Sequence, residues 1–284
     1  MAQFTNQAQL SYNNTVINSN IVVGEILEMV TADKTAVVDT YTADGTVTYV
    51  ISIVNSGNSA ISDLTISDNL GAYTQGTEVR TPLTYVDGSA KLFIDGVLQS
   101  APTVVEGPPL TVSGISLPAG SDLVLVYSAA VNDLAPLGMG DSIINTATVT
   151  GNGIPSPLEA TETVTPVEEP QLRITKSVEP VPVSENGTLT YRFVIENFGN
   201  TPAVATDNVA LSDLFDPILS DLTVSLDGTL WSEGVEYNYD ETTGQLNTVP
   251  SQITVPAATY TQDPATGIWS ITPGVTVLTV SGTV

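Results

Sequence analysis

The 284-residue sequence predicts an all-β chain: two tandem antiparallel β-sandwiches with an extra strand at the N-terminus. Three observations carry this. Alternation of Val, Ile, Thr and Tyr with polar residues recurs along the chain, broken by Gly, Asn, Asp and Pro about every ten residues, as in short strands joined by turns. A block is written twice without gaps, GTVTYVISIVNSGNS at Gly45–Ser59 and GTLTYRFVIENFGNT at Gly187–Thr201, identical at eight of fifteen positions. Near the start, NQAQLS (Asn6–Ser11) matches NTATVT (Asn145–Thr150), a strand late in the first repeat.

The first residues, 1–26, form the extension. Ala8, Leu10 and Tyr12 alternate onto one face and Gln7, Gln9 and Ser11 onto the other, as in a strand half-covered by a core. Repeat one spans 27–167. Its inward set is Val47, Tyr49, Ile51 and Ile53, and Asn-x-Gly-Asn then supplies residues tolerant of positive φ for a turn. LTISDNL (Leu64–Leu70) and DLVLVYSAAV (Asp122–Val131) follow, and Asn145–Thr150 comes last. VTPVEEPQ (Val164–Gln171) is a short, stiff joint. Repeat two spans 168–284, with Leu189, Tyr191, Phe193 and Ile195 inward, VALSDLF (Val209–Phe215) in place of LTISDNL, and VTVLTVSGTV ending the chain at Val284. That end matches Val131. Repeat two is therefore expected to lack the strand that Asn145–Thr150 gives repeat one, and the missing piece stands at the other end of the polypeptide.

Composition narrows the function. Asp and Glu number 31 against six Lys and Arg, a formal charge of −25, so neither nucleic acid nor an anionic membrane surface is an expected partner. Cys and His are absent, which removes disulfides, thiolate nucleophiles, the usual zinc sites and every His-based catalytic arrangement. No apolar run reaches the roughly 18 residues of a membrane span. The opening MAQFTNQAQL shows no basic region followed by an apolar one, so no secretory signal is recognisable.

The acidic residues sit in turn contexts such as TADG, IDG and YDETTG, which reads as solvated turns and not as a glycosidase pair. ATDN (Ala205–Asn208) and SDLFD (Ser212–Asp216) fall short of a calcium loop. No catalytic residue, metal or cofactor is expected.

Leu172–Phe215 resembles the conserved-repeat domain of prokaryotic surface proteins, domain of unknown function 11. The likeness rests on Thr175-Lys176 with Pro180, Gly187-Thr188, Tyr191, Asn197-x-Gly199 and Asp213. The resemblance implies immunoglobulin-like sandwiches in stalks, appendages and envelopes, without enzymatic activity. Pilin-like sandwiches sometimes join a first-strand Lys to a last-strand Asn through an isopeptide bond aided by a buried carboxylate. Lys176 and Asn6 are the candidates here. Against them, Glu196 alternates outward and repeat one, having no Lys-x-x-x-Pro before Gly45, is read as lacking the equivalent Lys, so Lys176 reads as a solvated stem and polymers are expected to boil down to 29.6 kDa monomers.

Together these readings predict a structural subunit that polymerises with identical subunits, head to tail, into an extracellular filament on a cell or spore surface. Each N-terminal strand would complete the next subunit's second repeat, with the interface at Asn6, Ala8, Leu10 and Tyr12 against Leu172, Ile174, Val280 and Val284. The rival reading is a monomeric adhesin or stalk module using Trp231, Tyr237, Tyr239 and Trp269 as an aromatic contact surface.

Overall fold

The computed structural model describes residues 2–26 and 29–284, with side chains described for 4–24 and 29–284. Its regular structure is β apart from one 3-10 turn at Ala205–Asp207. The expected boundary at residue 27 falls outside the described residues.

The chain opens as a hairpin. Strands β1 (Ala2–Asn6) and β2 (Gln9–Tyr12) run out, and β3 (Thr15–Asn18) and β4 (Val22–Ile26) run back, pairing β1 with β4 and β2 with β3. Asn13 and Asn14 turn the chain with φ of 45° and 63°, the double positive φ of a turn whose twist suits a two-residue hairpin. Residues 4–23 are exposed, Leu10 to 63% and Tyr12 to 53%.

Repeat one follows with β5 (Val30–Ala36), β6 (Thr40–Tyr41), β7 (Thr46–Asn55), β8 (Ile61–Asp68), a small pair β9 (Tyr73–Gln75) and β10 (Glu78–Arg80), β11 (Leu83–Tyr85), β12 (Lys91–Ile94), β13 (Val97–Leu98), β14 (Thr103–Val105), β15 (Leu110–Leu117), β16 (Asp122–Val131), β17 (Ile143–Asn152) and β18 (Leu158–Pro166). One sheet runs β13-β12-β16-β7-β5, with β11 also on β16. The other runs β14-β15-β8-β17-β18-β6. Val47, Tyr49, Ile51 and Ile53 are buried between them with Leu64, Ile66, Leu123, Leu125, Ala147 and Val149, as alternation predicts.

Repeat two comprises β19 (Leu172–Glu179), β20 (Thr188–Asn197), β21 (Ser212–Leu214), β22 (Ser220–Leu226), β23 (Thr229–Leu230), β24 (Tyr237–Asp240), β25 (Gln245–Thr248), a hairpin of β26 (Thr259–Gln262) and β27 (Trp269–Thr272), and β28 (Gly274–Thr283). Its first sheet, β19-β20-β28-β22-β23, reproduces the order β5-β7-β16-β12-β13 of repeat one, without a separate counterpart of β11. The registers agree: Tyr49 faces Tyr127 across β7 and β16, and Tyr191 faces Val280 across β20 and β28. Val131 N–H donates to Gly45 O and Val284 N–H to Gly187 O, the same closure twice. Leu189, Tyr191, Phe193 and Ile195 are buried with Phe215, Leu246 and Val280.

The second sheet differs. In repeat two it holds only β21-β25-β24, the counterparts of β8-β15-β14. Among the described residues nothing takes the places of β17, β18 and β6. The expectation from sequence was one missing strand; the structure enlarges it to the β17–β18 hairpin.

The repeats meet tightly. Asn200 Nδ2 donates to the carbonyls of Leu137 and Val167, and the β26–β27 hairpin reaches back to repeat one through Gln262 on Tyr73 and Arg80 on Ala265 O. Gly199 allows the linker's approach: a Cβ there would lie 2.0 Å from Glu169 O.

Candidate assembly site

Strand β5 of repeat one and strand β19 of repeat two carry the same pattern at the same spacing. Lys34 lies eleven residues before Gly45 (45 − 34), and Lys176 eleven before Gly187 (187 − 176). Lys34 pairs across from Ile51, and Lys176 from Phe193, which are equivalent positions of the repeated block. Lys34 is therefore the equivalent of Lys176 in repeat one. The contrary reading followed from seeking a Lys-x-x-x-Pro motif instead of counting the spacing.

In repeat one this lysine is sealed. Its Nζ lies 2.6 Å from Asp68 Oδ2, with the side chains 0% and 2% exposed. Tyr127 Oη donates to the same oxygen at 2.6 Å, and Leu70 N–H donates to Asp68 Oδ1 at 2.9 Å. Asn145, fully buried on β17, donates from Nδ2 to Tyr127 Oη at 3.1 Å and accepts from Gly71 N–H at 3.2 Å. The ammonium also sits 4.7 Å from the centre of the Tyr49 ring. Burial pulls the Lys34 amine down from 10.5 to about 8, although the Asp68 carboxylate opposes the shift. Burial likewise holds the hydroxyl of Tyr127 well above its ordinary range. Lys34, Asp68 and Asn145 thus come from three strands and two sheets to one dry site.

In repeat two the same pair stands open. Lys176 Nζ contacts Asp213 Oδ2, with the lysine side chain 39% exposed and the aspartate 19%. The ammonium lies 4.7 Å from the Tyr191 ring and 5.3 Å from those of Phe193 and Phe215. Asp213 is a carboxylate that the reading from Glu196 did not count, and Lys176, though 39% exposed, lies over three rings. Tyr127 has no hydroxyl counterpart, because Val280 takes its place.

Around this pair the inward face of β19 is uncovered. Leu172, Ile174 and Val178 are 41%, 54% and 37% exposed, whereas Val30, at the position of Leu172, is 7% exposed beneath the second sheet of repeat one. A groove of about 320 Å³ lies between Leu172 and Ile174 on one side and Val209, Leu211 and Ser212 on the other. Val280 lies on a central strand bonded on both sides, so it offers its buried side chain to the inter-sheet space and no free edge; Val284 is half-buried beside it. The sheet edges flanking this groove are those of β19 and β21, while β23 and β24 end the same two sheets on the other side.

The N-terminal hairpin supplies two antiparallel strands, as the missing piece does. Leu10 faces Ile17 and Asn6 faces Val22, so its pairing slips by one residue between β2–β3 and β1–β4, whereas the β17–β18 hairpin keeps one register from Val149 opposite Leu158 to Asn145 opposite Glu162. Phe4, Asn6, Ala8 and Leu10 stand at the positions of Ile143, Asn145, Ala147 and Val149, all four buried in repeat one. Within its own chain Asn6 pairs with Val22 and not with Lys176.

The aromatic surface of the rival reading is not presented. Tyr237 is buried, Tyr239 Oη is hydrogen-bonded to Leu219, and Trp231 packs on the second core. The indole of Trp269 is half-buried at the joint between the repeats, where its backbone N–H donates to Asp133 O.

Neither a protein-family model nor a curated protein matches the chain, so the conserved-repeat resemblance stays at the level of the quoted motif. Solved structures do match. The pilus backbone RrgB from Streptococcus pneumoniae is 14% identical with a TM-score of 0.35, over 86% of this chain and 55% of that one. The chain thus spans about half the length of that backbone. BcpA, the major pilin subunit of Bacillus cereus, is 15% identical with a TM-score of 0.37, over 85% of this chain and 73% of that one. The collagen-binding domain from a Staphylococcus aureus adhesin is 11% identical with a TM-score of 0.32, over 50% of this chain and 99% of that one. At these identities the likeness concerns fold alone.

Proposed function

We propose that this protein is the structural subunit of a cell- or spore-surface filament, built by inserting the N-terminal hairpin of each subunit into the second repeat of the next. The observation that carries this reading is the pair of mismatched second sheets, six strands in repeat one and three in repeat two, beside an exposed hairpin whose first strand repeats the sequence pattern of β17. Placed as β17 is placed on β8, the incoming strand sets Ala8 opposite Asp213 and Leu10 opposite Leu211, since Ala147 pairs with Asp68 and Val149 with Ile66. Main-chain hydrogen bonds to β21 then hold the strand, and burial of Phe4, Ala8 and Leu10 adds several kcal/mol at ~25 cal/mol per Å2. The contact joins different surfaces of identical subunits and does not close on itself, so it propagates as a fibre.

Deletion of residues 2–13 tests the reading. The truncated protein is expected to fold and remain monomeric in electron micrographs at concentrations where the full chain forms filaments. A peptide spanning residues 2–24 should cap the open repeat and stop growth of the full chain. Normal filaments from the truncated protein would refute the hairpin's role.

A further inference from the structure

The open Lys176–Asp213 pair is placed where the incoming strand would bring an asparagine, and we infer that insertion of the hairpin is followed by an amide bond between Lys176 Nζ and Asn6 Cγ of the next subunit. This rests on the proposed mode of assembly. Its ground is the match between the two repeats: in repeat one Lys34, Asp68 and Asn145 share one sealed site, and in repeat two the first two residues recur while the third is carried by the hairpin at the position of Asn145.

The chemistry needs no cofactor. A lysine is an effective nucleophile only as the neutral amine, and burial beside a carboxylate brings the neutral amine–acid pair within reach, because desolvation penalises both charges. Lys176 passes its proton to Asp213 and attacks Cγ of Asn6. The Asp213 acid hydrogen-bonds the developing oxyanion, donates its proton to the departing amide nitrogen, and takes the surplus proton from the new amide nitrogen. The Nζ–Cγ bond forms, the Cγ–Nδ2 bond breaks, and one ammonia leaves. The Tyr191, Phe193 and Phe215 rings hold the amine in place, and the incoming strand excludes water.

Exposure provides the timing. In the free subunit Lys176 and Asp213 reach solvent, and Asn6 is paired with Val22 in its own hairpin. Docking both supplies the asparagine and dries the pair, so only correctly seated subunits are locked. Within repeat one the strand comes from the same chain, and Lys34 and Asn145 meet the same conditions without a partner.

The experiment is denaturing electrophoresis of purified filaments boiled in detergent, with peptide mass analysis. Trypsin should yield residues 174–192 joined to residues 1–80, which are themselves joined through Lys34 to residues 92–173, the three lighter than their sum by two ammonias, since joined Lys34 and Lys176 both resist cleavage. Wild-type filaments should give a ladder of multimers. Lys176→Arg and Asn6→Ala filaments should fall to 29.6 kDa monomers. Wild-type filaments, visible by microscopy, that boil to monomers would overturn the bond and leave strand insertion standing; an absence of filaments would take both readings down. The truncated monomer supplies a second check: its mass should be one ammonia below that of its sequence, and Lys34→Met should restore the full value. A full-mass monomer would show that a sealed Lys–Asp–Asn site of this kind does not react, and would overturn the chemistry in both repeats.

Discussion

The two repeats carry one design in two states of completion. In repeat one the inner face of β5 is covered by a hairpin from the same chain, and its lysine–aspartate pair is dry. In repeat two the inner face of β19 meets solvent, and the same pair is wet. The first sheets match in strand order apart from β11, so the main difference lies in which strands of the second sheet the chain supplies locally. A sandwich that keeps two sheet edges free is an aggregation liability unless a partner is specified for them, and the N-terminal hairpin specifies one.

Several changes would break or sharpen this comparison. The largest effect is expected from Leu10→Asp. Leu10 is 63% exposed in the free subunit, so neither repeat should lose stability in denaturant titrations. Filament growth should cease, because the inserted strand would carry a carboxylate into an apolar groove.

Next comes Asp68→Ala, which leaves Lys34 buried without its partner. A loss of about 3–5 kcal/mol is expected in the unfolding of repeat one, read from its denaturant midpoint. Asp213→Ala removes the equivalent group from a pair open to water. The free subunit should lose no more than about 1 kcal/mol in the same measurement. Similar losses at the two sites would mean that the repeats do not differ in sealing.

The smallest change concerns the joint. Arg80→Ala removes the bond from Arg80 Nη2 to Ala265 O across the joint and that from Nε to Gln75 Oε1 within repeat one, and should lower thermal stability by about 1 kcal/mol while filaments still form.

Much of this was legible in the sequence, and the gaps have physical reasons. Alternation identified the inward faces of β7 and β20, because a strand buried on one side writes its register every second residue. The match of NQAQLS to NTATVT identified the hairpin's first strand. Its return strand was not read, although Asn13-Asn14 between Tyr12 and Thr15 is itself a hairpin signal. Lys34 was passed over for want of a neighbouring Pro, yet the eleven-residue spacing to Gly45 was there to count. The carboxylates Asp68 and Asp213 could not be told from turn residues by sequence: each stands two residues before a buried Leu70 or Phe215, and only the packing of two sheets turns it toward lysine. The β26–β27 hairpin that grips repeat one has no counterpart there, so no repeat alignment could place it.

The central claim is that each hairpin fills the next subunit's second repeat. A reconstruction of the filament at side-chain resolution tests it directly. The account predicts β1 and β2 running beside β21 of the adjacent subunit, with Ala8 opposite Asp213, Leu10 opposite Leu211, and Asn6 beside Lys176. A filament in which residues 2–18 lie on their own subunit, with the groove between Leu172 and Leu211 empty or filled by another segment, would contradict it.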